Sequence, residues 1–141
     1  MFQARRSVRI VSLVLKGSLM FSFLKPSGPR VEAIAPADAV AQVAVGELVL
    51  IDVREGMELR ASGKARGAVH VPLVVLGGKA DPRHPEHLPA LSPDRPVALY
   101  CASGARSQMA GQMLLRLGYA RVYNLGSLAD WRAGGGAVVP A

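Results

Sequence analysis

Apolar positions along the chain fall into short unbroken runs separated by stretches of helical period. Leu48-Val49-Leu50-Ile51-Asp52-Val53 is apolar at almost every position and rich in β-branched residues, the pattern of a strand covered on both faces and so central in a parallel sheet. Residues 68–71, 97–100 and 121–124 read as further strands. Between them, residues 34–43, 55–61, 106–117 and 127–133 read as helices. Pro36 suits a first helical turn, and Met109, Met113, Leu114 and Leu117 recur at helical spacing. Residues 77–96 form a polar, proline-rich connection, and Pro26, Gly28 and Pro29 mark a linker. Strand and helix alternate throughout, which predicts an α/β sandwich with ligands beyond the carboxyl ends of its strands.

The 141 residues suffice for one domain with a sizeable core and are too few for two of ordinary size. That domain is expected over residues 31–141, preceded by a basic and apolar extension over 1–30. The net charge of +7 suggests nucleic acid until the charges are placed. Arg5, Arg6, Arg9, Lys16, Lys25 and Arg30 precede the first acid, whereas residues 31–141 carry eleven basic against ten acidic side chains. The domain is therefore almost neutral, and with aromatics at 5% of the chain no basic, aromatic-studded face for DNA or RNA is expected. In the extension, Lys16 interrupts the apolar run from Ile10 to Leu15, leaving it short of a membrane span. It is read as a disordered tail upstream of a true start at Met20 rather than Met1. Cytoplasmic residence is expected, with export or membrane association as the alternative if residues 1–25 act as a signal.

The single cysteine excludes an internal disulfide and a cysteine-rich zinc site. His84 and His87 share an H-P-E-H stretch, but Pro85 and Pro89 oppose the helix that would align them as ligands. No metal and no cofactor is expected.

Cys101 stands where an apolar strand stops and a helix begins. Ala102 and Ala105 leave room above the sulfur, Ser103 offers a donor, and Gly104 can adopt a positive φ that turns successive amides inward. Arg106 adds a charged, planar donor fork at the helix start. A thiol in such a cradle, with the guanidinium closing the ring, should ionise more easily than free cysteine. The remaining notable residues take structural readings: Asp52 with Arg54 as a buried ion pair, His70 as a hydrogen-bonded packing residue, Trp131 as a core anchor, and Met109 and Met113 as core packing.

D-V-R-E at 52–55, G-A-V-H-V-P-L at 67–73, L-Y-C-A-S-G-A-R-S at 99–107, L-G-Y-A-R-V-Y-N-L-G-S at 117–127 and Trp131, in that order, resemble a single-domain rhodanese over about residues 32–139. The resemblance implies a three-layer α/β/α sandwich around a central, mostly parallel sheet. It implies a sulfurtransferase in which Cys101 takes a sulfane sulfur from a donor such as thiosulfate, becomes a persulfide and passes the sulfur to cyanide or a thiol. Ala102, Ser103, Gly104, Ala105 and Arg106 would bind the anion and the persulfide, with Asp52 and Arg54 ordering the surroundings. Where the family commonly has G-H-I-x-G-A, this chain has Lys64 in place of the histidine, and only a local change is expected.

Cys101 and Arg106 enclose four residues, against five in cysteine phosphatases with a similar loop. The shorter ring suits sulfur better than a tetrahedral phosphate or arsenate. A cysteine phosphatase or arsenate reductase is accordingly the weaker enzyme reading. A non-catalytic carrier accepting persulfide from a partner protein is the alternative from a different class.

Overall fold

The computed structural model describes residues 29–141; residues 1–28, which hold nearly all of the basic extension and both candidate starts, lie outside the described residues. The elements run β1 (Glu32–Ala33), α1 (Pro36–Ala44), β2 (Val49–Asp52), α2 (Gly56–Ser62), β3 (Lys64–Ala65), β4 (Val69–His70), α3 (Leu73–Lys79), β5 (Val97–Cys101), α4 (Ala105–Arg116), β6 (Val122–Ser127), α5 (Leu128–Ala133) and β7 (Val138–Val139). Five strands form one sheet in the order β1-β6-β5-β2-β4, and every pairing in it is parallel. β3 and β7 form a separate antiparallel pair.

The period of two along the central strands divides the core into two layers. Val97, Leu99 and Cys101 of β5, with Ile51 of β2, face a cluster completed by Leu76 of α3 and by Ala110 and Leu114 of α4. Ala98 and Tyr100, with Leu50, face the opposite cluster, which contains Ala39 of α1 and Trp131 of α5. This is the expected three-layer α/β/α sandwich. All five residues of β5 are fully buried, and each large apolar side chain so placed contributes about 1.5–3 kcal/mol.

The strand order positions the site. From β2 the chain moves outward to β4, and from β5 it moves the other way to β6. The carboxyl ends of β2 and β5 thus flank the crevice where parallel α/β sheets bind ligands.

Three expectations are corrected. Residues 73–79 form helix α3, so the connection after β4 begins later than position 77. Met109 is 60% exposed rather than packed in the core. The buried face of α4 consists of Ser107, Ala110, Gly111 and Leu114, small residues that let the helix lie close to the sheet; a Cβ on Gly111 would stand 2.8 Å from Val31 Cγ2. Met113, by contrast, packs against the core as expected. The strand pair β3–β7 was not anticipated either. Lys64 lies within it opposite Val139 and donates from Nζ to Ala68 O at 2.9 Å, tying the following turn.

Among the described residues, no helix is long and apolar enough to cross a membrane, and no cluster of His, Cys, Asp and Glu could hold a metal ion.

Candidate active site

Cys101 is the last residue of β5, one position earlier in the architecture than the loop. Gly104 caps α4 with φ +97° and ψ −10°, a left-handed conformation natural to glycine. Its N–H donates to Cys101 Sγ at 3.0 Å. The Ser107 hydroxyl lies 3.5 Å from the sulfur. Burial, the strongest single influence, opposes ionisation of the thiol. The Ser107 hydroxyl and the amides of Ser107, Ser103 and Gly104 together outweigh it, lowering Cys101 from its ordinary value of 9.0 to about 7. Loop amides thus converge on the sulfur. Ser103 contributes one of them, while Ala102 and Ala105 are exposed and leave the approach clear.

Arg106 interacts with the Cys101 thiolate through its charge and directs its hydrogen bonds to Glu58. Its Nη1 and Nη2 donate to Glu58 Oε2 and Oε1, both at 2.8 Å. The pair joins α2, which follows β2, to the start of α4, which follows β5, and so clamps the two sides of the crevice. Glu58 Oε2 also accepts from Glu55 N at 2.9 Å in the capping box of α2. The Arg106 guanidinium, followed by the Glu55 amide, holds the Glu58 carboxyl down at about 2.

Asp52 and Arg54 form the expected buried pair. Arg54 donates from Nε to Asp52 Oδ1 at 3.0 Å and from Nη2 to Oδ2 at 2.8 Å, while its backbone N–H reaches Oδ1 at 2.9 Å. Tyr100 OH adds a 2.6 Å bond to Asp52 Oδ2 and accepts from Ala65 N at 3.0 Å. Arg54 also reaches Ser62 Oγ and Gly63 O, and its carbonyl meets His70 Nε2 at 2.7 Å. His70 is thus a packing residue. Trp131, 3% exposed, donates to Ala137 O and anchors the core.

Sequence reasoning missed the residue that holds the loop to the sheet. Asn124 Oδ1 accepts from Ser107 Oγ at 2.7 Å and from Gly126 N at 3.0 Å. Its Nδ2 donates to Gly104 O at 3.0 Å and to Gln108 Oε1 at 3.1 Å. A bulge in β6 makes this reach possible: Leu99 pairs with Asn124, but Tyr100 pairs with Gly126, whose φ of +106° takes up the extra residue. Asn followed two positions later by Gly inside an apparent strand was the available signal. Ser107, six residues after the cysteine, was also passed over.

Above the sulfur is a cleft of about 320 Å³ with Cys101 and Ala102 at its base. Arg54 and Ser62 line it from the β2 side, and Ser127, Leu128, Ala129 and Arg132 from the β6–α5 junction. No carboxylate is among these residues, and Cys101 itself has no exposed surface. Two other hollows, an apolar one of about 230 Å³ beside Trp131 and one of about 330 Å³ beside His84, do not have Cys101 among their lining residues.

A family model for the rhodanese-like domain matches residues 35–134, a span that contains the cysteine loop, both clamping residues and Asn124. The chain belongs to the rhodanese-like domain family. A protein of Allochromatium vinosum named as a sulfurtransferase is 34% identical over 86 residues, covering 60% of this chain and 72% of that protein. Among solved structures, a protein of unknown function from Rhodopseudomonas palustris, described as a possible tyrosine phosphatase, superposes with a TM-score of 0.69 at 26% identity, over 92% of this chain and 98% of that one. A rhodanese-related protein of Thermoplasma volcanium gives 0.62 at 28% identity, over 78% and 99%. This rhodanese-like domain therefore shares its fold with a rhodanese-related protein over most of both chains.

Proposed function

We propose that the protein is a sulfurtransferase that carries sulfane sulfur on Cys101. The observation that bears the reading is a thiol lowered to about 7 at the base of an open cleft, with backbone amides aimed at its sulfur. Cys101 attacks the outer sulfur of a donor such as thiosulfate. The new S–S bond forms as the bond to the sulfonate sulfur breaks, and sulfite leaves with the electron pair. The resulting persulfide anion is stabilised by the amides of Ser103 and Gly104 until cyanide or a thiolate takes the outer sulfur. Ala102 and Ala105 keep the approach open, and Arg106, fixed by Glu58, contributes positive charge and holds the start of α4 in register. Asp52 and Arg54 order the neighbouring wall. No metal or cofactor is required by this chemistry.

A phosphatase reading is less well supported, because four residues rather than five separate Cys101 from Arg106 and no carboxylate lines the cleft to protonate an alcohol leaving group. Intact mass spectrometry after thiosulfate treatment tests the proposal. A gain of one sulfur atom is expected, absent in Cys101→Ser, with thiocyanate formed on adding cyanide. Release of phosphate from an aryl phosphate without thiocyanate formation would overturn it, and loading only by a partner protein would favour the carrier.

A further inference from the structure

Three arginines stand around the cleft or its rim, and two have committed their guanidinium groups. Arg54 spends its donors on Asp52, Ser62 and Gly63 and is 5% exposed at its side chain. Arg106 spends both Nη groups on Glu58 and is not among the residues lining the cleft. Arg132 lines the cleft, is exposed, and has no ion-pair partner among the described residues. Its placement is fixed by its neighbours. Trp131, buried and bonded to Ala137 O, sets the rotation of α5, and Arg132 falls one turn after Leu128, which lines the same cleft. Asp130, the acid closest to it in sequence, is occupied with Ser127 N and Oγ. An anion entering above Cys101 therefore meets one uncommitted cation and no opposing carboxylate.

We propose that Arg132 is the specificity-determining residue for the sulfur donor, receiving the anionic end that is not transferred and so selecting small, doubly charged donors of the thiosulfate type. The inference rests on the sulfur-transfer reading above and assigns to Arg132 the donor recognition that the sequence alone places on Arg106. In the transfer step Arg132 faces the sulfonate, which departs as sulfite carrying the bonding pair, so its charge serves both donor binding and departure of the leaving group.

The test compares wild type, Arg132→Gln and Arg132→Lys with thiosulfate and with methanethiosulfonate, in which a methyl group replaces one charged oxygen, cyanide being the acceptor. For an exposed arginine, Arg132→Gln should raise the thiosulfate KM about threefold to tenfold with kcat within about twofold, and raise the methanethiosulfonate KM distinctly less. Arg132→Lys should recover most of the loss. An unchanged thiosulfate KM, or equal losses with both donors, would overturn the proposal. Calorimetric binding of thiosulfate to Cys101→Ser, with and without Arg132→Gln, reads the same contact without turnover: weaker binding in the double variant supports it and equal binding overturns it. Failure of the wild type to load with either donor would instead count against sulfur transfer.

Discussion

Ser107→Ala isolates the part of the cradle that a helix dipole alone cannot supply. The Ser107 hydroxyl has one proton and two neighbours, Asn124 Oδ1 at 2.7 Å and Cys101 Sγ at 3.5 Å. With the cysteine protonated, serine donates to Asn124 and the thiol donates to serine. On ionisation the serine proton turns to the sulfur, and Asn124 Oδ1 keeps the Gly126 amide at 3.0 Å. Removing the hydroxyl deletes a bond made to the charged form and leaves no buried acceptor unpaired. A hydrogen bond to a charged group contributes about 1.5–3 kcal/mol. Its length here and the competition from Asn124 argue for the lower end, which corresponds to about one pKa unit. The thiol should move from about 7 towards about 8, so that near neutral pH the thiolate falls from about half of the molecules to about a tenth, a roughly fivefold loss. The assay is the pH dependence of iodoacetamide alkylation, which follows the thiolate, with urea unfolding in parallel to show that stability changes by less than about 1 kcal/mol. A titration midpoint that stays in place, or moves down, would refute the account of how this sulfur is ionised.

Asp52→Asn should destabilise the fold by about 3–5 kcal/mol in urea titration, because it strands the Arg54 guanidinium in a buried site; a loss below about 1 kcal/mol would show that the pair is dispensable. Gly104→Ala has room for its Cβ, which would lie 3.6 Å from Gly126 Cα, so its cost is the strained φ, about 1–2 kcal/mol by thermal denaturation, accompanied by a raised thiol pKa. Glu58 has its folded pKa depressed to about 2 from 4.5, so its pairing with Arg106 contributes stability above the unfolded value and loses it as pH falls from about 4.5 towards 2. For a pair about one-third exposed this amounts to roughly 1 kcal/mol. The stability gap between wild type and Glu58→Gln should accordingly close as urea titrations are moved from neutral pH to about 3, and a gap independent of pH would contradict it.

The sheet and the cysteine loop were legible along the chain because both are local signals. An unbroken β-branched run such as residues 48–53 has few ways to hide except inside a parallel sheet, and a small-residue loop between strand and helix restricts where amides can point. Helix α3 was not legible. Val74 and Val75 are β-branched and exposed, and Gly77 and Gly78 follow, all poor helix formers; burial of Leu76 and contact of Leu73 with the core stabilise the helix from outside it. Met109 misled for a related reason, since the close approach of α4 to the sheet selects small residues for its inner face and turns a larger apolar one outward.

The order of residues by itself determined the α/β alternation, the neutral charge of the domain, the buried Asp52–Arg54 pair and the position of Cys101 at a strand end. Tertiary structure alone decided what surrounds that sulfur. Glu58, 48 positions away, takes the hydrogen bonds of the Arg106 guanidinium, Asn124 and a bulge lock the loop from the neighbouring strand, and Arg132 arrives at the cleft because Trp131 fixes the rotation of its helix. Those partners are separated along the chain by distances over which propensity and spacing carry no information, and only the register of parallel strands brings them to one end of the sheet.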